Sequence, residues 1–139
     1  MPARTKARKR ALDLLFASEV RGRSAVEALE EEARESAGGG RPVADYTDEL
    51  VRGVTEHRAR IDELLATYSE GWSLERMPGV DRNVLRLGVF ELLYVDDVPD
   101  AVAVSEAMHL VRDLSTDESP TFVNGVLGSI LRNKSALTS

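Results

Sequence analysis

The residues best suited to catalysis are few in this sequence, and their spacing does not form a recognisable active site. It contains two histidines, His57 and His109, and no cysteine. Glu106 and His109 form one Glu-x-x-His step, whereas helical di-iron sites need two such steps and further glutamates. Phosphate-binding glycine loops and the Gly-x-Ser-x-Gly nucleophile element are also absent. The sequence therefore predicts no catalytic residue, no metal, no cofactor and a protein that is not an enzyme.

The chemistry that the sequence does suggest is electrostatic, and it lies at the N-terminal end. Five of the first ten residues are cations, and no acid precedes Asp13. The net charge is nevertheless −6, because the rest of the chain holds 13 of the 18 basic residues and all 24 acidic ones. An acidic protein gains no general attraction to nucleic acid, so a contact with RNA has to be local. The cationic residues are Arg4, Lys6, Arg8, Lys9 and Arg10.

This basic start conflicts with the local rules of helix electrostatics. A helix N-terminus is already positive, so each cation there destabilises the helix by about 0.3–1 kcal/mol. Residues that break a local rule often serve a site. At helical spacing the five cations surround the start of the first helix, an arrangement suited to gripping a flexible phosphate chain.

A second candidate segment runs from Phe122 to Gly128. An aromatic ring at Phe122 could stack on an unpaired base while the Asn124 amide reads a base edge, although composition alone favours a core position for Phe122. Glycines inside a helix each cost about 1 kcal/mol relative to alanine. We interpret Gly125 and Gly128 as positions where this helix packs closely against a neighbour.

Hydrophobic periodicity predicts helices along the whole chain. A capping box at Ser24 and Glu27 begins the second helix, which ends at Gly38-Gly39-Gly40. The predicted elements are a helix through residues 11–16, one over 24–37, a long one of about six turns over 47–68, a short turn at 74–77, a helix over 81–95 that is apolar on all sides, one over 100–114, and a last one over 119–133 opened by Ser119 as N-cap and Pro120.

These elements predict an all-α fold with two helical groups, one before Trp72 and one after, that share a core. We take residues 1–139 as a single domain with subdomains 1–70 and 71–139. No apolar run approaches the roughly 20 residues that cross a bilayer, and no signal-peptide pattern is present. The sequence thus predicts no membrane association and a cytoplasmic location.

Several motifs, taken in order along nearly the whole chain, resemble the NusB family of transcription antitermination factors. They are Ala3-Arg-Thr-Lys-Ala-Arg8, Val80-Asp-Arg-Asn-Val-Leu-Arg86, Asp97-Val-Pro99, Glu106-Ala107 and Phe122-Val-Asn-Gly-Val-Leu127, and Gly71-Trp72 fits an actinobacterial member. The resemblance implies an all-α fold of two three-helix bundles. It also implies a non-catalytic role in which the protein pairs with NusE, a small-subunit ribosomal protein, and binds boxA RNA in ribosomal RNA leaders. RNA polymerase and other Nus factors would be indirect partners.

The resemblance and the residue patterns above together give the expected site residues. The expected RNA-binding residues are Arg4, Lys6, Arg8, Lys9, Arg10, Phe16, Glu118, Phe122 and Asn124. The expected NusE interface comprises Asp81, Arg82 and Arg76. Two positions depart from the family pattern: Lys6 replaces a frequent arginine and loses bidentate contacts, and Glu118 replaces a frequent aspartate.

Two matters stay open at this point. The alternative function is a helical protein-interaction module without direct RNA contact. The sequence does not decide between a monomer and a homodimer, or whether RNA binding requires NusE.

Overall fold

The computed structural model describes residues 2–39 and 42–138, and within these ranges it contains helices and no strand. The predicted all-α class is confirmed. Gly40, the last glycine of the predicted stop, lies outside the described residues. No helix in the described ranges is both long and apolar enough to cross a membrane. The chain divides into two compact units, Met1–Glu56 and His57–Ser139, and the two are considered separately below.

The first unit is a bundle of three helices. They are α1 (Ala3–Arg21), α2 (Ala25–Ala37) and α3 (Asp45–Glu56), and each contacts the other two. The predicted capping box is confirmed, since the Ser24 hydroxyl accepts a hydrogen bond from the Glu27 backbone N–H at 3.3 Å. Gly22 ends α1 with a φ of +66°, a left-handed conformation that glycine adopts without strain.

One face of α1 is buried against α2 and α3. Ala11, Leu12 and Leu50 are almost completely buried in this core. The start of α3 is fixed to α1 by the Thr47 hydroxyl, which donates to the Ala7 carbonyl at 3.0 Å. This bond holds the start of α3 against the basic residues of α1.

The described part of the second unit contains five α-helices and a short 3₁₀ helix. They are α4 (Arg58–Tyr68), the 3₁₀ helix (Leu74–Arg76), α5 (Gly79–Tyr94), α6 (Asp100–Leu114), α7 (Ser119–Arg132) and α8 (Lys134–Thr138). The predicted buried helix corresponds to α5, which α4, α6 and α7 all contact. The prediction that it is buried on all sides is confirmed. Arg86 of α5 donates from Nε and Nη2 to the two carboxylate oxygens of Asp62 at 2.9 and 3.1 Å, which ties α4 to α5.

The structure corrects three sequence predictions about the helices. The long third helix is wrong, because the chain leaves helical geometry at His57 and restarts as α4. The His57 ring stacks on Tyr94 with centroids 3.9 Å apart, a tertiary contact that periodicity does not reveal. The N-cap of α7 is Glu118 and not Ser119, and α8 was not predicted. The subdomain division at residue 70/71 stays a prediction, and α4 contacts helices of the second unit.

The interpretation of the α7 glycines is also wrong. A methyl group at Gly125 would meet no atom within 4 Å, and at Gly128 it would meet only the end of the Arg132 side chain at 3.4 Å. The close approach lies instead at Gly88 of α5. A methyl group there would lie 3.1 Å from both terminal methyls of Leu127, which is fully buried.

Candidate nucleic-acid interface

The basic residues lie in the first turns of α1, as the sequence predicts. The helix starts at Ala3 after Pro2, and no acid stands in its first turn. We call Arg4, Lys6, Arg8, Lys9 and Arg10 the basic start. The backbone N–H groups of this first turn add their own positive potential to that of the side chains.

Two members of the basic start contact Tyr46 of α3. The guanidinium carbon of Arg4 lies 4.2 Å from the centre of the Tyr46 ring, and that of Arg8 lies 5.5 Å from it. Arg8 is only 3% exposed. The expectation that all five cations are presented around the helix start is therefore wrong for Arg8. Arg8 is buried together with Ala7 and Ala11 of the same helix.

Two further cations are held by carboxylates. Arg10 donates from Nε and Nη2 to a single oxygen of Glu32 on α2, at 3.0 and 2.6 Å. Lys9 pairs with Asp13 one turn along α1 at 3.0 Å. Both pairs are solvent-exposed, and exposed pairs contribute only about 0.2–1 kcal/mol each. A phosphate could therefore replace either carboxylate at small cost.

Lys6 and Phe16 complete the predicted residues of the first unit. Lys6 is exposed, and within the described part of its unit it has no ion-pair partner. Phe16 is 37% exposed, so part of its ring is open to solvent. The exposed cationic surface thus consists of Arg4, Lys6, Lys9 and Arg10. Arg8 is buried beneath it and contacts Tyr46.

In the same unit, a third ion pair joins the turn between α1 and α2 to the middle of α2. Arg23 donates to the Glu31 carboxylate at 2.6 Å. This hydrogen bond and the charge of Arg23 lower the pKa of Glu31 below its ordinary value. A groove of about 300 Å³ between α1 and α2 contains Arg10, Glu31 and Glu32.

The remaining predicted RNA-binding residues lie in the second unit, at the start of α7. Glu118 is exposed, and its side chain makes no capping hydrogen bond. Phe122 is half-buried beside Trp72, with ring centroids 6.0 Å apart and the planes inclined at 56°. A cavity of about 540 Å³ is lined by Trp72, Phe122, Glu118 and Asp81 among others. Asn124 is exposed on α7 and does not line this cavity.

Asp81 holds the loop before α7 in place. It is 2% exposed, and it accepts a hydrogen bond from the Ser115 hydroxyl at 2.5 Å. Ser115 and Ser119 hydroxyls lie 3.1 Å apart, and Ser119 and Thr116 hydroxyls 2.7 Å apart. A hydroxyl group has one proton to donate, and that of Ser115 is donated to Asp81. Ser119 therefore donates to Ser115, and Thr116 donates to Ser119. The chain of hydroxyls ends on the carboxylate and fixes the loop that carries Glu118. Such a chain polarises its members cooperatively.

The two arginines predicted to bind a protein partner differ in their surroundings. Arg82 donates from Nη1 to the carbonyls of Leu74 and Met77, at 2.7 and 3.0 Å, and so ties the 3₁₀ helix to α5. Arg76 is exposed at the end of that 3₁₀ helix. Asp81 is buried beside Ser115, so it can affect a partner surface only by holding the loop before α7 in position.

The structure thus gathers the predicted residues into two clusters, one in each unit. Sequence reasoning missed the residues that organise them, namely Tyr46, Glu32, Ser115 and the ring of Trp72. The one available signal in the sequence is that Trp72 is the single tryptophan of the chain. Across the described ranges, no group of three or more histidine, aspartate or glutamate side chains could hold a metal ion.

Comparison with known proteins identifies the family. The NusB family model matches residues 5–132. The transcription antitermination protein NusB of a Nocardioides species is 72% identical over 137 residues, which cover 99% of each chain. NusB of T. maritima has a solved structure with 34% identity and a TM-score of 0.79, over 95% of this chain and 92% of that one.

A third related structure contains antitermination factors NusB and NusE in complex with double-stranded RNA. It matches with 29% identity and a TM-score of 0.79, over 93% of this chain and 96% of that one. The family model covers most of the described residues, including Lys6–Arg10 of the basic start and Glu118–Phe122 of α7. The chain therefore belongs to the NusB family of transcription antitermination proteins, which are not enzymes.

Proposed function

We propose that this protein binds boxA RNA of ribosomal RNA leaders together with NusE, and that both site clusters contact the RNA. The observation that carries this proposal is the exposed cationic surface formed by Arg4, Lys6, Lys9 and Arg10 on a protein of net charge −6. The salt bridges of Lys9 and Arg10 leave both cations accessible to solvent. The related NusB–NusE–RNA structure supports the choice of RNA and NusE as partners.

The two clusters contribute differently to RNA binding. Contacts from cations to phosphates supply affinity and salt dependence but carry no sequence information. Sequence preference therefore comes from the start of α7, where Glu118, Phe122 and Asn124 offer a carboxylate, an aromatic ring and an amide. Unpaired bases are recognised by stacking and by hydrogen bonds to their edges, which these side chains supply.

Arg10→Ala tests the contribution of the basic start. A bond to a charged group is worth about 1.5–3 kcal/mol, and RNA must first displace Glu32 from Arg10, so we expect affinity to fall about three- to tenfold. The slope of log K against log salt should become shallower by about 0.7 for single-stranded RNA. Gel-shift titrations at several salt concentrations measure both quantities.

Arg60→Ala is the matched control. Arg60 is an exposed arginine of α4 that pairs with Glu63 at 3.0 Å, so its removal costs a similar surface salt bridge without touching the basic start. Equal affinities and equal salt slopes for the two variants would contradict the role of the basic start. Binding of NusE without any RNA binding would instead support the alternative of a protein-interaction module.

Arg76 and Arg82, with Asp81 acting through the loop, form the proposed NusE surface. Arg76→Ala should weaken the complex with NusE while leaving binding of RNA alone unchanged, because Arg76 is exposed and does not line the α7 cavity. Isothermal titration of NusE into each variant measures this effect. Since the proposed target is a nascent transcript, we also propose a cytoplasmic location.

A further inference from the structure

Tyr46 of α3 is the residue at which two guanidinium groups from the start of α1 meet. It is the second residue of α3, and only 8% of its surface is exposed. The guanidinium carbons of Arg4 and Arg8 lie 4.2 and 5.5 Å from the centre of its ring. Both distances are within the roughly 6 Å over which an aromatic face attracts a cation. This buried ring is therefore a contact for charged groups and not for apolar side chains alone.

Local electrostatics at the start of α1 oppose this arrangement. Arg4 and Arg8 are one helical turn apart, a spacing at which like charges repel each other. The helix N-terminus is itself positive, no acid stands in the first turn of α1, and Pro2 supplies no side-chain cap. The negative face of the Tyr46 ring attracts both guanidinium groups and so opposes their separation. The ring thus keeps two positive charges together at one end of the helix.

We propose that Tyr46 is a positioning residue for RNA binding, and that its ring holds the Arg4 guanidinium so that this group binds one backbone phosphate. The inference rests on the proposed function. Stacking uses the flat face of a guanidinium, whereas its N–H donors lie in the plane and match the oxygens of a phosphate. Arg4 is exposed and supplies the contact. Arg8 is 3% exposed, so it adds its charge from beneath without touching the phosphate.

The position of the ring is fixed by the residue that follows it. The Thr47 hydroxyl donates to the Ala7 carbonyl at 3.0 Å, and Thr47 is 1% exposed. This bond attaches the start of α3 to the turn of α1 that lies between Arg4 and Arg8. A side chain that is already held in its bound conformation loses little freedom when the ligand arrives, whereas a mobile one loses much. Tyr46 therefore raises affinity for RNA by ordering Arg4 in advance.

A double-mutant cycle tests the coupling between the ring and Arg4. Gel-shift titrations of boxA RNA with NusE present compare the wild type, Tyr46→Leu, Arg4→Ala and the variant with both changes. Ordering one flexible side chain lowers affinity about two- to tenfold, so Tyr46→Leu should weaken binding by that factor. Arg4→Ala removes the contact itself and should weaken binding at least as much.

In the double variant, the loss of Tyr46 should add little, because the side chain that the ring positions is gone. Tyr46→Phe keeps the ring and should bind RNA as the wild type does. Losses that multiply in full in the double variant would overturn the proposal. A Tyr46→Phe variant as weak as Tyr46→Leu would overturn it as well, because the hydroxyl and not the ring would then be required.

Nuclear magnetic resonance of the protein without RNA gives a second readout, which does not depend on the folding of Tyr46→Leu. Protons above an aromatic face are shifted upfield by the ring current. The Cδ–H and Nε–H signals of Arg4, assigned by their loss in Arg4→Ala, should be shifted in the wild type and in Tyr46→Phe. They should return to ordinary positions in Tyr46→Leu. Ordinary positions in the wild type would contradict the stacking and the proposal with it.

Leu29→Ala is the control for a loss of stability. Leu29 is a core residue of α2 in the same unit, 1% exposed, and its truncation destabilises the unit by leaving a cavity. At a temperature at which circular dichroism shows every variant folded, Leu29→Ala should bind RNA as the wild type does. If it weakens binding as much as Tyr46→Leu, the effect is one of stability and the proposal fails.

The outcomes distinguish this inference from the function on which it rests. Salt-dependent RNA binding that Tyr46→Leu leaves unchanged would overturn the positioning role and leave the proposed function standing. The absence of RNA binding in the wild-type protein with NusE present would contradict both.

Discussion

Replacement of Asp81 offers the sharpest test of how the loop before α7 is held. Asp81→Ala removes the acceptor of the Ser115 hydroxyl and leaves the hydroxyl chain of Ser115, Ser119 and Thr116 without its anchor. A hydrogen bond to a charged group contributes about 1.5–3 kcal/mol. Asp81 also stands in the first turn of α5, where an acid adds about 0.3–1 kcal/mol.

We therefore expect Asp81→Ala to lower the free energy of unfolding by about 2–4 kcal/mol. For a domain of this size, this corresponds to a fall in Tm of roughly 5–15 °C. Asp81→Asn keeps a carbonyl acceptor and loses the charge, so it should cost about half as much. RNA affinity should also fall, with an unchanged salt slope, because no phosphate contact is altered.

Thermal unfolding followed by circular dichroism measures the stability change, and Asp96→Ala is the matched control. Asp96 is an exposed aspartate just after α5, where substitutions usually change stability by less than about 0.5 kcal/mol. If Asp81→Ala and Asp96→Ala have equal Tm values, Asp81 does not anchor the loop and the reasoning fails. A shallower salt slope in Asp81→Ala would show instead that Asp81 acts on the cationic surface.

Three further predictions follow from the same contacts. Gly125→Ala should stabilise the protein by about 0.5–1 kcal/mol because no atom lies near the added methyl group, whereas Gly88→Ala should destabilise it because the methyl would lie 3.1 Å from the buried methyls of Leu127. Denaturant titration of both variants measures the change in the free energy of unfolding. A stabilised Gly88→Ala variant would contradict the close contact. Glu32→Gln should tighten RNA binding about two- to fivefold at low salt by weakening the salt bridge that holds Arg10, and unchanged or weaker binding in gel shifts would show that Glu32 positions Arg10 and does not compete with phosphate. Glu31→Gln should lower the Tm at neutral pH only. Because the pKa of Glu31 is lowered in the folded state, the stabilisation by its ion pair with Arg23 is present above the unfolded-state pKa and is lost as the pH falls through the folded-state pKa. A Tm difference that persists in strong acid would refute this.

Much of the fold follows from local signals in the sequence. The capping box at Ser24 starts α2, as predicted, and Gly38 follows its last residue. Helix α6 has the predicted bounds, Asp100–Leu114. The all-round apolar pattern of α5 implies burial on every side, and the contacts of α5 with three helices show it. Periodicity and caps are local properties, so they can be read without the tertiary structure.

Three of the failures of prediction involve contacts between elements. A single residue, His57, interrupts the third predicted helix without disturbing the apolar pattern on either side. Arg8 has the same charge as its neighbours, but the packing of α1 on α3 buries it against Tyr46. Gly125 and Gly88 look alike in sequence, and only the neighbour at Gly88 distinguishes them.

The candidate site shows the same division. The basic start was predicted from composition, because five cations at a helix N-terminus violate a local rule. The Glu32 contact of Arg10 and the Trp72 wall of the α7 cavity depend on residues distant in sequence, and no local pattern encodes them.

The central claim is that RNA binds to the basic start of α1 and that base preference comes from the start of α7. Salt-dependent gel shifts of boxA and scrambled RNA, with NusE present, test it most directly in wild type, Lys6→Ala/Arg10→Ala and Phe122→Leu. The account predicts that the double variant weakens binding to both RNAs and lowers the salt slope by about 1.4, whereas Phe122→Leu keeps the slope and reduces the preference for boxA. Equal salt slopes in all three proteins, together with an undiminished boxA preference, would contradict it.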